Sequence, residues 1–418
     1  MVSPTGTLPL AGVKVIDLGQ VYQGPYATYL MARAGADVIK VEPLDGEPVR
    51  RRSSISRGSG VPFAMLNGNK KSVSLNLKTE RGKDLLRALA AKADVLLENF
   101  APGAMDRLGI GWTVLSGLNP RLVYASGSGY GLSGPDAGNL AMDLTVQAAS
   151  GVMSVTGFSD NEPVKAGPAI ADFLSGIHLY AGVMTALYER AFTGVGRFVE
   201  VAMQETIYPT LASNLGMMYD NGAAPPRTGN RHGGLSVVPY NVYPAADGHF
   251  AIIVLNDEHW ARLVRAMGQP DLASDPRFST AAARVEHIDL VDRTIGEWGR
   301  KLSREQALSR LRENSVPSAP VRDLIEVTND PHMHGRGMLT WMEHSEFGRI
   351  VIPDSPIRLH GAATLPLQES PLLGADNFAV MSQELGLSSL EIEHLQSDGV
   401  LGRAVAVSGQ RGPDVAAD

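Results

Sequence analysis

The chain contains no cysteine in 418 residues. That excludes disulfides, thiolate–zinc sites and a cysteine nucleophile. It also lacks an excess of positive charge: 37 Lys and Arg stand against 44 Asp and Glu, a net charge of −7. An acidic chain of this kind is a poor general nucleic-acid binder, and any anionic ligand needs a local basic patch. Met1–Leu10 has no charged start followed by an apolar core, so no signal peptide is read. No apolar run reaches membrane-spanning length by inspection. The expectation is a cytoplasmic protein with neither nucleic acid nor membrane as partner.

What is present is globular. Hydrophobic residues make up 44%, and the length calls for two domains or one large α/β body. Strand-like runs at Val13–Leu18, Ala36–Glu42, Asp94–Phe100, Arg121–Ser126 and Val199–Met203 alternate with helix-like runs at Tyr26–Arg33 and Leu85–Lys92. This spacing predicts crossover units and a parallel sheet. Ile177–Arg190 is apolar on nearly all sides and predicts a buried helix. The Gly- and Pro-rich Asn221–Gly234 predicts a linker. Asp247-Gly248 between two strand-like runs predicts a hairpin. Helical patterns at Trp260–Met267, Ala283–Trp298 and Arg304–Arg312 then complete a smaller α+β domain. The expected division is 1–210, a linker 211–234, a middle domain 235–330, and a return segment 331–418 whose end, beyond Leu401, reads as disordered.

Four motifs invite chemistry. Gly129–Gly134 fits GxGxxG after a strand, but Pro135-Asp136 follows where a dinucleotide site needs a helix start. A glycine-lined strand end, suited to close approach of a ligand, is the better reading. His332 and His334 lack a nearby third ligand, so no metal is expected. Arg50-Arg51-Arg52, Arg57 and Lys70-Lys71 form either a solvated loop or a phosphate patch. Asp172, ahead of the apolar helix, reads from spacing alone as a helix N-cap. A helix start also stabilises developing negative charge, so a catalytic role is compatible with it.

Several stretches together resemble the family III CoA-transferases, the group that includes formyl-CoA:oxalate and carnitine CoA-transferases and α-methylacyl-CoA racemase. They are Val15–Pro25, Gly35–Glu42, Asn67–Lys78, Asp94–Gly109, Leu122–Pro135, Gln147–Gly157, Gly167–Leu187, Gly196–Glu205 and Ser370–Gly374. The resemblance implies an α/β fold: a Rossmann-like large domain built from both chain ends, a small middle domain, and an interlocked-ring homodimer. It implies no tightly bound cofactor, with acyl-CoA and a small carboxylic acid as substrates.

By motif position, Asp172 matches the family's catalytic aspartate. Tyr22, Gln23, Leu75, Lys78, Asn99, Phe100 and Arg107 match CoA-contacting segments, and Met142 also falls in the expected site. Pro43 stands where some members carry a CoA-contacting arginine, and Gly374-Ala375-Asp376-Asn377 replaces a frequent Gly-Glu-His-Thr. The implied reaction is covalent: Asp172 attacks an acyl-CoA, such as succinyl-CoA, to give an anhydride. Returning thiolate gives an aspartyl-CoA thioester, which the acceptor carboxylate then displaces. The rival on the same fold, an acyl-CoA racemase, needs a histidine where Met142 stands. An intramolecular transferase would use the same aspartate, and a silent CoA-binding protein would need none.

Overall fold

In the computed structural model, residues 6–52 and 60–403 are described. Arg57 and the tail beyond residue 403 lie outside them. The chain divides into two compact units. The first comprises Met1–Val146, Ala169–Thr206 and Thr328–Asp418; the second comprises Gln147–Pro168 and Ile207–Val327.

The first unit is built on a six-stranded parallel sheet in the order β3-β2-β1-β4-β5-β6. Its strands are β1 (Lys14–Asp17), β2 (Asp37–Glu42), β3 (Lys71–Ser74), β4 (Val95–Glu98), β5 (Val123–Ser128) and β6 (Phe198–Ala202). The near-continuous apolar runs have the expected cause, because the sheet is covered on both faces. Successive residues point to opposite sides. Ile16, Ile39, Leu96 and Tyr124 enter one core. Val15, Val38, Val95, Leu97, Val123 and Ala125 enter the other, with Ala27, Met31, Leu179 and Val183. The order of strands reverses between β1 and β4. In open parallel sheets, the crevice beyond the strand ends at this point is where ligands bind.

β3 was not read as a strand. It is a short edge strand in which two of four residues are serine. Its outer backbone is satisfied by side chains: the Asp376 carboxylate accepts from Ser72 N at 2.8 Å and Asn377 Oδ1 accepts from Ser74 N at 2.9 Å. The segment Gly374–Asn377 therefore covers an exposed edge. The helix that follows it (Asn377–Leu385) and the next (Ser389–Ser397) bring Val380, Met381, Ile392 and Leu395 into the first core.

The long helix (Ile170–Thr193) corrects one expectation. It has 24 residues and is apolar enough in composition to cross a bilayer. Its inner face packs into the second core of the sheet, and its buried Arg190 pairs with Asp94. Its outer face is not buried within the chain: Tyr188 is 70% exposed and Phe192 73%. A helix apolar all round can bury two faces, and within this chain only one of them is covered. The first unit also carries the antiparallel pair β10 (Leu339–His344) and β11 (Gly348–Pro353).

The second unit holds the antiparallel sheet β7 (Tyr240–Ala245), β8 (Gly248–Ile253) and β9 (Ser318–Pro320). The β7–β8 turn falls at Ala246-Asp247. Trp260, Phe250, Val291, Ile295 and Leu311 form its core. The helix expected over 283–298 is two, Ala281–Glu286 and Ile288–Gly299, broken at His287.

Candidate active site

Asp17 ends β1 and is fully buried. Its Oδ1 accepts from Gly19 N at 2.8 Å, and its Oδ2 accepts from Thr28 Oγ1 at 2.7 Å and Lys70 Nζ at 2.9 Å. Lys70 Nζ also donates to Pro25 O, Thr28 Oγ1 and Asn67 Oδ1, and Lys40 Nζ donates to Gly19 O. Burial pushes the Asp17 carboxyl up. The charges of Lys70 and Lys40, with hydrogen bonds from Lys70 and Thr28, outweigh it and leave the group below the usual range. Burial pulls Lys70 down to about 8 against the attraction of Asp17.

This network clamps both ends of the loop from Gly19 to Pro25. The loop is tied across the switch point as well. Gln20 N donates to Asn99 Oδ1 at 2.7 Å, and Asn99 Nδ2 donates to Gln20 O at 3.0 Å. Asn99 directly follows β4, so the reciprocal pair joins the β1 and β4 ends. Next to it, the buried Glu98 accepts from Phe100 N at 2.8 Å. Burial raises its pKa, opposed by hydrogen bonds from Ser126, Phe100 N and Tyr124.

At this crevice lies a cavity of about 180 Å³. The β1 loop contributes Gln20, Val21 and Gln23, and the β4 end contributes Asn99, Phe100, Ala101 and Pro102. The β5 end supplies Gly127–Tyr130, and Met142, Asp143, Asp172 and Met203 complete the wall with Ala137 and Asn139–Ala141. Asp172 is 6% exposed. It is not the N-cap of its helix, since Ala169 holds that place and has no side chain to offer. Asp143 takes the capping duty from another segment: its Oδ1 accepts from Ala171 N at 2.9 Å. Asp172, third in the helix, thus reaches the cavity wall from the positive end of a long helix dipole. The stretch with the GxGxxG pattern lines the same cavity through Gly129 and Tyr130, and the next helix begins only at Asp143.

The sequence profile described as CoA-transferase family III matches residues 10–377. The chain belongs to that family. It is 36% identical over 410 residues to the formyl-CoA:oxalate CoA-transferase of Streptomyces avermitilis, covering 94% of this chain and 100% of the relative. It is 35% identical over 392 residues to the succinyl-CoA:mesaconate CoA-transferase of Haloarcula hispanica, covering 91% and 97%. Among solved structures, a CAIB/BAIF family protein from Brucella suis superposes with a TM-score of 0.80 at 32% identity, covering 91% of this chain and all of that one.

Within this family III CoA-transferase, Gln23, Asn99, Phe100, Met142 and Asp172 line one cavity. Tyr22 lies beside it, its ring stacked on Phe173 at 5.9 Å. Leu75 packs its side chain into the sheet core. Lys78 and Arg107 are exposed and outside the cavity wall, although Arg107 Nη1 donates to Pro102 O at 3.3 Å and so sits at its rim.

The described members of the basic cluster do not form one patch. Lys70 is buried under the β1 loop, Lys71 pairs with Asp37, Arg50 pairs with Glu42, and Arg51 pairs with Asp45. Gln20, Asp143 and the Asp17–Lys70 pair were not singled out by sequence reasoning. Their hydrogen-bond partners are far away along the chain, so spacing carries no sign of them.

Proposed function

We propose that this enzyme exchanges CoA between an acyl-CoA and a carboxylic acid, with Asp172 carrying first the acyl group and then the CoA. One observation carries the reading. Asp172 is a buried carboxylate on the wall of the switch-point cavity, third in a long apolar helix. Attack on the thioester carbonyl expels a thiolate, which needs no acid catalyst because thiols are good leaving groups. The substrates of the two relatives support a short acyl-CoA as donor, succinyl-CoA or formyl-CoA, and a small carboxylic acid as acceptor. A screen of such donors against oxalate, mesaconate and other small acids tests it. No CoA exchange with any pair would sink the proposal.

CoA carries several phosphate charges, and charge-assisted contacts to phosphate are strong. Arg107 at the cavity rim and Lys78 are the proposed phosphate contacts. Arg107→Ala and Lys78→Ala should each raise the apparent constant for every acyl-CoA by about tenfold, equivalent to about 1.4 kcal/mol. The effect should be larger at low salt. The acceptor's constant should change little. A variant that altered donor preference would instead place its residue at the acyl group.

Met142 carries no group that can move a proton, so this reading excludes racemisation through that position. A chiral 2-methylacyl-CoA in heavy water should show no enzyme-dependent deuterium uptake, and rapid uptake would revive the racemase reading.

The exposed Ile177, Tyr188 and Phe192 on one long helix support a second copy as its cover, in the interlocked homodimer that the family resemblance implies. Light scattering should give twice the chain mass.

A further inference from the structure

Gln23 opens the first helix (Gln23–Arg33), at the cavity that Asp172 also lines. The residue is 2% exposed, and its side-chain Nε2 is buried with no hydrogen-bond partner. Folds rarely leave a buried amide donor unmatched, because its lost hydration is not recovered. This one is held in place by two glycines. On β5, a Cβ at Gly127 would stand 2.6 Å from Gln23 Oε1 and 2.9 Å from Nε2. On the long helix, Gly176 lies one turn beyond Asp172 on the same face. A Cβ there would stand 2.7 Å from Gln23 O. Gln23 is therefore wedged between the strand that lines the cavity and the helix that carries Asp172. The two asparagines of the wall use their amides elsewhere: Asn99 Nδ2 on Gln20 O, and Asn139 Nδ2 on Asp136 Oδ1.

We infer that Gln23 is a catalytic residue that donates its Nε2–H to the carbonyl oxygen of acylated Asp172. The inference rests on the covalent reading given above. In that reading, two steps attack the Asp172 acyl carbon itself. In the first, CoA thiolate adds its sulfur lone pair to this carbon, and the C=O pair moves onto the Asp172 oxygen. Collapse restores the carbonyl and expels the donor's carboxylate with the C–O bonding pair. In the second, the acceptor carboxylate adds to the same carbon, and thiolate leaves with the C–S pair. No proton moves in either step, and each places negative charge on an Asp172 oxygen. A donor already fixed at that wall needs no reorganisation to meet it. The first and last steps of the exchange place charge on the substrate's acyl oxygen instead, and Gln23 contributes little to them.

The test separates these steps. Wild type, Gln23→Met (similar volume, no donor) and Gln23→Glu (same length, no amide) are mixed with formyl-, acetyl- and succinyl-CoA, each without acceptor. Rapid quenching and intact mass give the rate of CoA attachment to the protein, which requires attack on the Asp172 carbon. Hydroxylamine, corrected for a blank without enzyme, intercepts the earlier anhydride as an acyl hydroxamate. Both variants should attach CoA about 10²–10³-fold more slowly, while hydroxamate formation persists. Attachment at the wild-type rate in either folded variant overturns the inference. So does an equal loss of both readouts. If Gln23→Met fails to fold, judged by its melting curve, Gln23→Glu decides alone. Should wild type give neither adduct nor hydroxamate with any of the three donors, the covalent reading itself has failed and this inference falls with it.

Discussion

Asp172→Ala is expected to lower CoA exchange by at least about four orders of magnitude, since removal of a covalent nucleophile ends the catalysed path. The fold should survive. The helix start is capped by the Asp143 carboxylate, which accepts from Ala171 N. The melting temperature of the variant should thus stay close to wild type, and binding of acyl-CoA should persist. This separates a nucleophile from a cap. If Asp172 were only capping its helix, the variant would lose stability and keep its activity. Residual exchange above about one per cent of wild type would be incompatible with a covalent role.

The second large effect concerns stability. Asp17→Ala leaves Lys70 and Lys40 buried without their shared anion, and breaking a buried pair by removing one partner costs about 3–5 kcal/mol. Urea or thermal unfolding of the variant measures it. The pH dependence follows from the directions of the shifts. Asp17 is held below its unfolded value, so its contribution is present above about pH 4 and is lost as pH falls through its folded value. The gap between wild type and variant should accordingly narrow in acid. Lys70 is held at about 8, below its unfolded value. Between about pH 8 and 10 the unfolded chain holds more protons than the fold, so this group's contribution rises with pH there and is lost as pH falls through about 8. A variant as stable as wild type at neutral pH would mean that the pair is not what braces the loop. Activity should fall along with stability, because the loop it clamps carries Gln20, Val21 and Gln23 to the cavity.

The parallel sheet was legible because its strands are buried on both faces, and runs such as Asp94–Phe100 have no reason to be so apolar otherwise. β3 was not, because a four-residue edge strand rich in serine owes its place to Asp376 and Asn377, about three hundred residues later. The long helix was legible as apolar but not as half-covered, since composition does not tell which faces the chain itself covers. At the site, Asp172, Gln23, Asn99 and Phe100 were found through motif position, and they do line one cavity. Lys70 was misread with its basic neighbours. Its burial depends on Asp17 and Thr28, whose side chains converge on it only after β1, the first helix and β3 have packed. Asp143 was passed over as the residue after Met142, because capping a helix from another segment leaves no local pattern.

The central claim is that CoA becomes attached to the protein through Asp172. The most direct test is intact-protein mass spectrometry after brief exposure to an accepted acyl-CoA in the absence of acceptor, followed by peptide mapping. The account predicts a mass increase of one CoA less one water, located on the peptide containing Asp172, absent from Asp172→Ala, and discharged by adding the acceptor acid. Efficient exchange with no such adduct, or with an adduct on another residue, would contradict it.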